Sequence, residues 1–104
     1  MNAYVYILRD PRTSVAVYVG ETTNPTRRLD QHVNGIAARS TKKWILELRA
    51  KGLLPVMHVV QTVTDARGRK WLQRASRWAE GEWIRGLSEA GAPLLNIDPR
   101  CAAM

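Results

Sequence analysis

A chain of 104 residues, 45% of them hydrophobic but with no Phe, has room for one domain around a modest core of Val, Ile, Leu and four Trp. Its net charge of +7 favours a polyanionic partner, most simply nucleic acid. No run approaches the ~20 apolar residues of a membrane span, and the lone Cys101 excludes an internal disulfide and fits a reducing, cytoplasmic compartment.

The first predicted element is Tyr4-Val5-Tyr6-Ile7-Leu8, which begins too early to leave room for a signal peptide. Strand alternation puts Tyr4, Tyr6 and Leu8 on one face and Val5 and Ile7 on the other. The turn formers of Asp10-Pro11-Arg12-Thr13-Ser14 lead into a second strand, Val17-Tyr18-Val19-Gly20-Glu21. There Ala16, Tyr18 and Gly20 share a face, with Val15, Val17 and Val19 opposite. Pairing Leu8 with Ala16 sets Tyr6 opposite Tyr18, with the Cβ atoms about 5 Å apart. Paired tyrosines are also ordinary sheet stabilisers, so the pair alone assigns no chemistry.

Asn24 or Thr23 can cap a helix that starts on Pro25 and closes at Gly35. Arg28 and His32 lie one turn apart on it, and Leu29, Val33 and Ile36 supply a buried stripe. A second helix follows, capped by Ser40 or Thr41, with Trp44, Ile45 and Leu48 as its apolar face and Gly52 as its stop. Glu47 and Lys51 form a favourable pair on its outer side. Pro55 to Gln61 reads as a third strand, where Pro55, His58 and Gln61 suit an exposed or edge position. Thr64 or Asp65 then caps a long helix reaching to about Gly91. Lys70, Arg74, Arg77 and Arg85 gather on one arc of that helix. Trp71, Leu72, Ala75, Trp78, Ala79, Trp83, Ile84 and Leu87 fill the remainder. Glu80 and Glu82 both fall within the apolar arc, where a carboxylate is costly unless paired or bound to a cation. Periodicity does not choose between them. The tail from Ala92 to Pro99 reads as an extended segment returning to the core. The element order β-β-α-α-β-α predicts an α+β fold.

Most of the basic residues are Arg, which suits bidentate phosphate contact. They form three groups: Arg27 and Arg28; Arg39, Lys42 and Lys43; and Arg67, Arg69, Lys70, Arg74 and Arg77. One Cys and the distant His32 and His58 cannot build a structural zinc site. The nine acidic residues are scattered with no D-x-D grouping, which disfavours a multi-carboxylate two-metal centre. A single Glu with waters completing the shell is compatible with one Mg²⁺ or Mn²⁺ ion. There is no RNP-like aromatic octapeptide and no GXXG loop to indicate an RNA-binding domain.

Taken in order, Tyr4-Val5-Tyr6, Tyr18-Val19-Gly20, Arg28 ten residues past Tyr18, His32 and Glu80 before Trp83-Ile84 resemble the GIY-YIG nucleases. Tyr4-Val5-Tyr6 lacks the leading glycine of the first motif. The resemblance runs from Tyr4 to Ile97 and implies a stand-alone single-domain member, 1–104 with a core over 3–97. It implies an α/β sandwich built on a small, mainly antiparallel three-stranded sheet flanked by helices. The activity it implies is Mg²⁺-dependent endonuclease hydrolysis of DNA, with one metal and a tyrosine general base, of the kind used in DNA repair or recombination by prokaryotic or viral proteins.

By that pattern Glu80 holds the metal, Arg28 braces the phosphate and Tyr6 takes the proton from water. His32, titrating near neutral pH, relieves Tyr6 of its own proton. Tyr18 orients the water or the phosphate, Gly20 keeps the strand end clear and Asn96 braces the site. Arg27, Arg39, Lys42, Lys43, Lys70, Arg74 and Arg77 are the candidates for contacting DNA. A DNA structure, a partner protein or a homodimer would supply specificity. The alternative is a catalytically inactive module of the same fold that binds nucleic acid or a protein partner.

Overall fold

A computed structural model describes residues 1–95 of the chain. The elements are β1 (Asn2–Arg9), β2 (Ala16–Thr22), α1 (Pro25–Val33), α2 (Arg39–Ala50), β3 (Val56–Thr64) and α3 (Arg69–Glu89), in the expected order. The strands form one antiparallel sheet in the order β2-β1-β3. β1 is therefore central and covered on both faces, which is why every residue from Val5 to Leu8 is buried. On one face Val5, Ile7 and Val19 pack with Leu72 and Ala79 of α3. On the other, Tyr6 and Leu8 pack with Trp44, Ile45 and Leu48 of α2. β3 is an edge strand, mostly exposed, and His58 is exposed on it as the sequence indicated.

The hairpin register differs from the expected one. Leu8 pairs with Tyr18 rather than with Ala16, and Tyr6 lies opposite Gly20 rather than Tyr18. The cause is the loop. The backbone N–H of Asp10 bonds the Val15 carbonyl at 3.0 Å, closing the turn early. A bulge between Leu8 and Arg9 then leaves Val17 as an extra residue on β2. One inserted residue reverses the alternation. Ala16 accordingly packs on the α3 side with Val19, and Val17 on the α2 side with Leu8, the reverse of expectation.

The helices start and stop for identifiable reasons. In α1, the Asn24 side chain accepts from the Arg27 N–H at 3.1 Å, and Pro25 occupies the first turn. Gly35, at φ 73°, ends it by donating to the His32 carbonyl while Ile36 donates to Gln31. Ile36 lies beyond that stop and is 74% exposed, so the inward positions of α1 are Leu29 and His32 instead. α2 begins at Arg39 without a side-chain cap. Ser40 and Thr41 fall inside its first turn, and Thr41 points inward. Glu47 does pair with Lys51, and also with Arg12 of the β1–β2 loop.

Thr64 ends β3, and Asp65 caps a turn by accepting from the Arg67 N–H. α3 begins only after Gly68, whose φ of 115° breaks the chain direction. Its buried residues are Leu72, Ser76 and Ala79, flanked by half-buried Ala75, Trp83, Ile84 and Leu87. Trp78 is 70% exposed and Trp71 40%, contrary to the expected broad apolar face. A three-stranded sheet covers only a narrow stripe of a helix, and the rest of the arc runs out to solvent. The Trp71 ring lies under the guanidinium groups of Arg67 and Arg74, at 4.4 and 5.3 Å. After α3 the chain returns to the sheet: Leu94 is buried, and the Leu95 N–H donates to Val17 at 2.7 Å. Asn96 lies outside the described residues. Among those described, no helix is long and apolar enough to cross a membrane.

Candidate active site

Tyr6 stands on the central strand directly across from Gly20 of edge strand β2. A Cβ on residue 20 would collide with the phenol ring, falling 2.8 Å from Cε1 and closer still to Cζ and Oη. The absence of a side chain there lets the fully buried Tyr6 ring lie across the strand. Tyr18, two residues earlier on the same face, holds its ring 6.2 Å from that of Tyr6. The phenols meet as the sequence led one to expect, but diagonally rather than face to face across the ladder.

His32 closes this cluster from α1. Its ring edges onto both tyrosines, at 5.8 Å from Tyr6 and 5.0 Å from Tyr18. Nε2 lies 2.7 Å from the Tyr6 hydroxyl, and Nδ1 lies 3.4 Å from Thr41 Oγ1. Thr41 directs its own proton to the Ala38 carbonyl at 3.2 Å, so toward His32 it can only accept. That assigns the imidazole proton to Nδ1 and leaves Nε2 to accept from Tyr6. Burial, reinforced by the nearby Arg28 cation, lowers the His32 pKa to about 4. The expectation of a histidine titrating near neutrality is therefore wrong. The imidazole is neutral at pH 7 because the side chain is wholly enclosed, which no local pattern of residues signals. Burial, with Tyr18 alongside, raises the Tyr6 pKa, and burial likewise raises that of Tyr18, with Glu80 adding to both. Both phenols are therefore protonated at rest.

Glu80 reaches the cluster from α3, on the opposite face of the sheet. Its carboxylate accepts a hydrogen bond from the backbone of Glu21 on edge strand β2. The Glu80 carboxylate is close enough to act electrostatically on Tyr6 and Tyr18. Its pKa is raised by burial first and by the neighbouring Glu21 second, opposed by Arg77 and Arg28. Glu82, the other candidate on this helix, is ion-paired with Arg85 instead. Arg28 acts electrostatically on Tyr6, Tyr18, His32 and Glu80, so its charge is felt by all four.

Glu21 is the residue that sequence reading missed. It receives a 3.0 Å hydrogen bond from Ser76 Oγ, and Ser76 is completely buried in α3. Alternation puts Glu21 on the Val19 side of β2, the face that α3 covers, and that was the available signal. Among the described residues no group of three or more His, Cys, Asp or Glu is placed to hold a metal, and no salt bridge engages Glu80 or Glu21. Two neighbouring hard carboxylates outside any of these salt bridges suit one divalent ion that keeps much of its water, and do not suit a two-metal cage. Of the basic candidates, Arg27, Arg39, Lys42, Lys43, Lys70, Arg74 and Arg77 are all exposed. Only Arg77 is recorded as acting on the Glu80 carboxylate, while Arg74 lies over Trp71.

Among known families, the family model described as the GIY-YIG catalytic domain matches residues 2–81. No curated protein and no solved structure matches the chain. The matched stretch contains β1, β2, both short helices, β3 and α3 as far as Glu80 and Gly81. It covers well over half of the chain, which therefore belongs to the GIY-YIG family of nuclease-type catalytic domains.

Proposed function

We propose that this protein is a metal-dependent endonuclease that hydrolyses DNA phosphodiester bonds through the Tyr6, Tyr18, Arg28, His32 and Glu80 cluster. The observation that carries the reading is the position of Arg28, one cation within electrostatic reach of two phenols, an imidazole and a carboxylate from four different elements. A surface arginine serving solubility has no need of such company.

Hydrolysis requires an activated water and neutralisation of charge on the phosphate. Tyr6 is the general base, but not as a standing phenolate, since burial keeps its proton on. Its hydroxyl lies 2.7 Å from His32 Nε2, which accepts its proton in the Nδ1–H tautomer. As the Tyr6 oxygen accepts a proton from the attacking water, its own proton passes to Nε2. The net change is one proton from water to imidazole, and the tyrosine ends as it began. Arg28 disfavours imidazolium in the free protein. A phosphodiester anion seated against Arg28 offsets that cation, so the substrate itself makes His32 a better base. Arg28 also balances the charge that grows on the phosphate oxygens, and Tyr18 positions the water.

Glu80, with Glu21 beside it, is the carboxylate that would hold the divalent ion. When bound, such an ion supplies Lewis-acid charge at the phosphate and the leaving oxygen. Magnesium, with manganese as a substitute, suits these oxygen donors.

The test is incubation of the purified chain with supercoiled plasmid and Mg²⁺, beside an EDTA control and the Glu80→Ala variant. Nicking that requires the ion and falls by about 10²-fold or more in the variant supports the proposal. Nicking that survives either treatment removes Glu80 from the chemistry.

A further inference from the structure

A cleft of about 550 Å³ opens beside the cluster, between the start of β1, the end of β2 and the first turns of α3. Arg28 and Glu21 line it, so the cleft adjoins the proposed reaction centre. Tyr4 and Arg69 also line it, with Gln73 and Thr23. None of these four has a part in the proposed chemistry. Tyr4, the third tyrosine of the chain, stands two residues before Tyr6 on the same strand and is only half-buried. Arg69 is exposed and, among the described residues, has no carboxylate partner.

We infer that this cleft is the subsite for a single unpaired nucleotide flanking the scissile phosphate, with the base against Tyr4 and its phosphate held by Arg69. The inference rests on the nuclease reading and names the kind of DNA that it acts on.

Four observations point the same way. The volume lies within the range of ligand sites and exceeds what a lone phosphate fills. An aromatic ring on the wall offers a stacking partner to any base. Arg28 and Arg69 supply positive charge at two points of one cleft, as consecutive phosphates require. Gln73 and Thr23 offer uncharged donors and acceptors suited to a base edge. A base can fill such a recess only after leaving its stack, which is cheapest where it is already unpaired. The preferred substrate is thus DNA with an unpaired nucleotide beside the cut, and a continuous duplex leaves the recess empty.

The experiment measures binding in EDTA, where no cleavage occurs, to a blunt duplex and to the same duplex carrying a short unpaired flap with 2-aminopurine at its base. The wild-type chain should bind the flap more tightly and change the 2-aminopurine emission. Tyr4→Leu should weaken flap binding by about five- to hundredfold, the range of one lost stacking contact, with less than about twofold effect on the duplex. Tyr4→Trp should restore the preference, and Arg69→Ala should lower it while leaving the fold untouched, since Arg69 is exposed. Equal wild-type affinity for the two DNAs, or equal losses on both in Tyr4→Leu and Arg69→Ala, overturns the subsite. The plasmid assay is read separately. Nicking together with equal affinities sinks only the subsite, and a flap preference without nicking sinks only the nuclease reading.

Discussion

At Gly20 a single methyl group decides whether Tyr6 can reach His32. The Cβ of Gly20→Ala would occupy space already filled by the phenol, and Tyr6 is buried with no alternative room. The ring must move, and the 2.7 Å bond to Nε2 breaks with it. Overpacking of this kind costs about 1–3 kcal/mol, so the variant should still fold while cleavage falls by about tenfold or more. Thermal melting and plasmid nicking read side by side test this; wild-type nicking in Gly20→Ala would show that the Tyr6–His32 bond is dispensable. His32 supplies a second expectation at this scale. Its pKa is about 4 in the folded protein, against 6.5 for the free side chain. Between those values the unfolded chain binds more protons, so stability rises with pH across that interval and is lost as pH falls through it. The full span is worth about 3 kcal/mol at 1.36 kcal/mol per unit. Denaturant midpoints from pH 7 down to pH 4 should therefore fall, and fall less steeply in His32→Gln. Parallel slopes in the two proteins would mean that the imidazole is protonated in the fold.

Among the elements, the β1–β2 loop is tied to α2 by Asp10. Its carboxylate accepts from the Trp44 indole at 2.9 Å and from the Arg12 backbone and guanidinium. Those bonds, the Arg12 contact first, hold the carboxyl well below its usual range. Trp44→Phe removes the indole donor and little volume, and should cost about 1–3 kcal/mol in a urea titration, the worth of a hydrogen bond to a charged group. An unchanged midpoint would show that Arg12 alone anchors the loop. The same contact explains what was legible in the sequence and what was not. Periodicity and turn residues located every strand and helix, because each is set by neighbours within a few positions. The hairpin register was not legible. It depends on a bulge at Val17 and on a loop pinned by a tryptophan thirty-four residues away from Asp10. The start of α3 was misplaced for a related reason: Asp65 spends its oxygens on Arg67 in a separate turn rather than on a helix end. Tyr6, Tyr18, Arg28 and His32 could be singled out because they fall within one short stretch, whereas Glu80 was chosen over Glu82 only through the family resemblance. Glu21 and the low pKa of His32 were hidden, since both depend on which helix covers which face of the sheet.

For the molecule as a whole, the net charge of +7 favours a polyanionic partner but does not say where it would sit. The position of Glu80 on α3 divides the basic residues of that helix. Arg77 lies about 60° around the axis from Glu80 and Lys70 about 80°, whereas Arg74 lies about 120° away, toward the exposed tryptophans. Arg77 acts on the Glu80 carboxylate, and Arg74 instead lies 5.3 Å from the centre of the Trp71 ring. A DNA backbone seated against Arg28 and Glu80 should therefore reach Arg77 and Lys70 and miss Arg74. Each phosphate contact contributes about 0.9 to the slope of log K against log salt concentration. Arg77→Ala and Lys70→Ala should each flatten that slope by about one, measured by titrating labelled DNA at several salt concentrations without metal. Arg74→Ala should leave the slope as it is and remove one of the two cations over the Trp71 ring, with Arg67 remaining at 4.4 Å, seen as a change in tryptophan emission before any DNA is added. A slope that drops for Arg74 and holds for Arg77 would place the DNA on the outer, tryptophan-bearing side of α3, away from Glu80, and the cleavage geometry would then have to be abandoned.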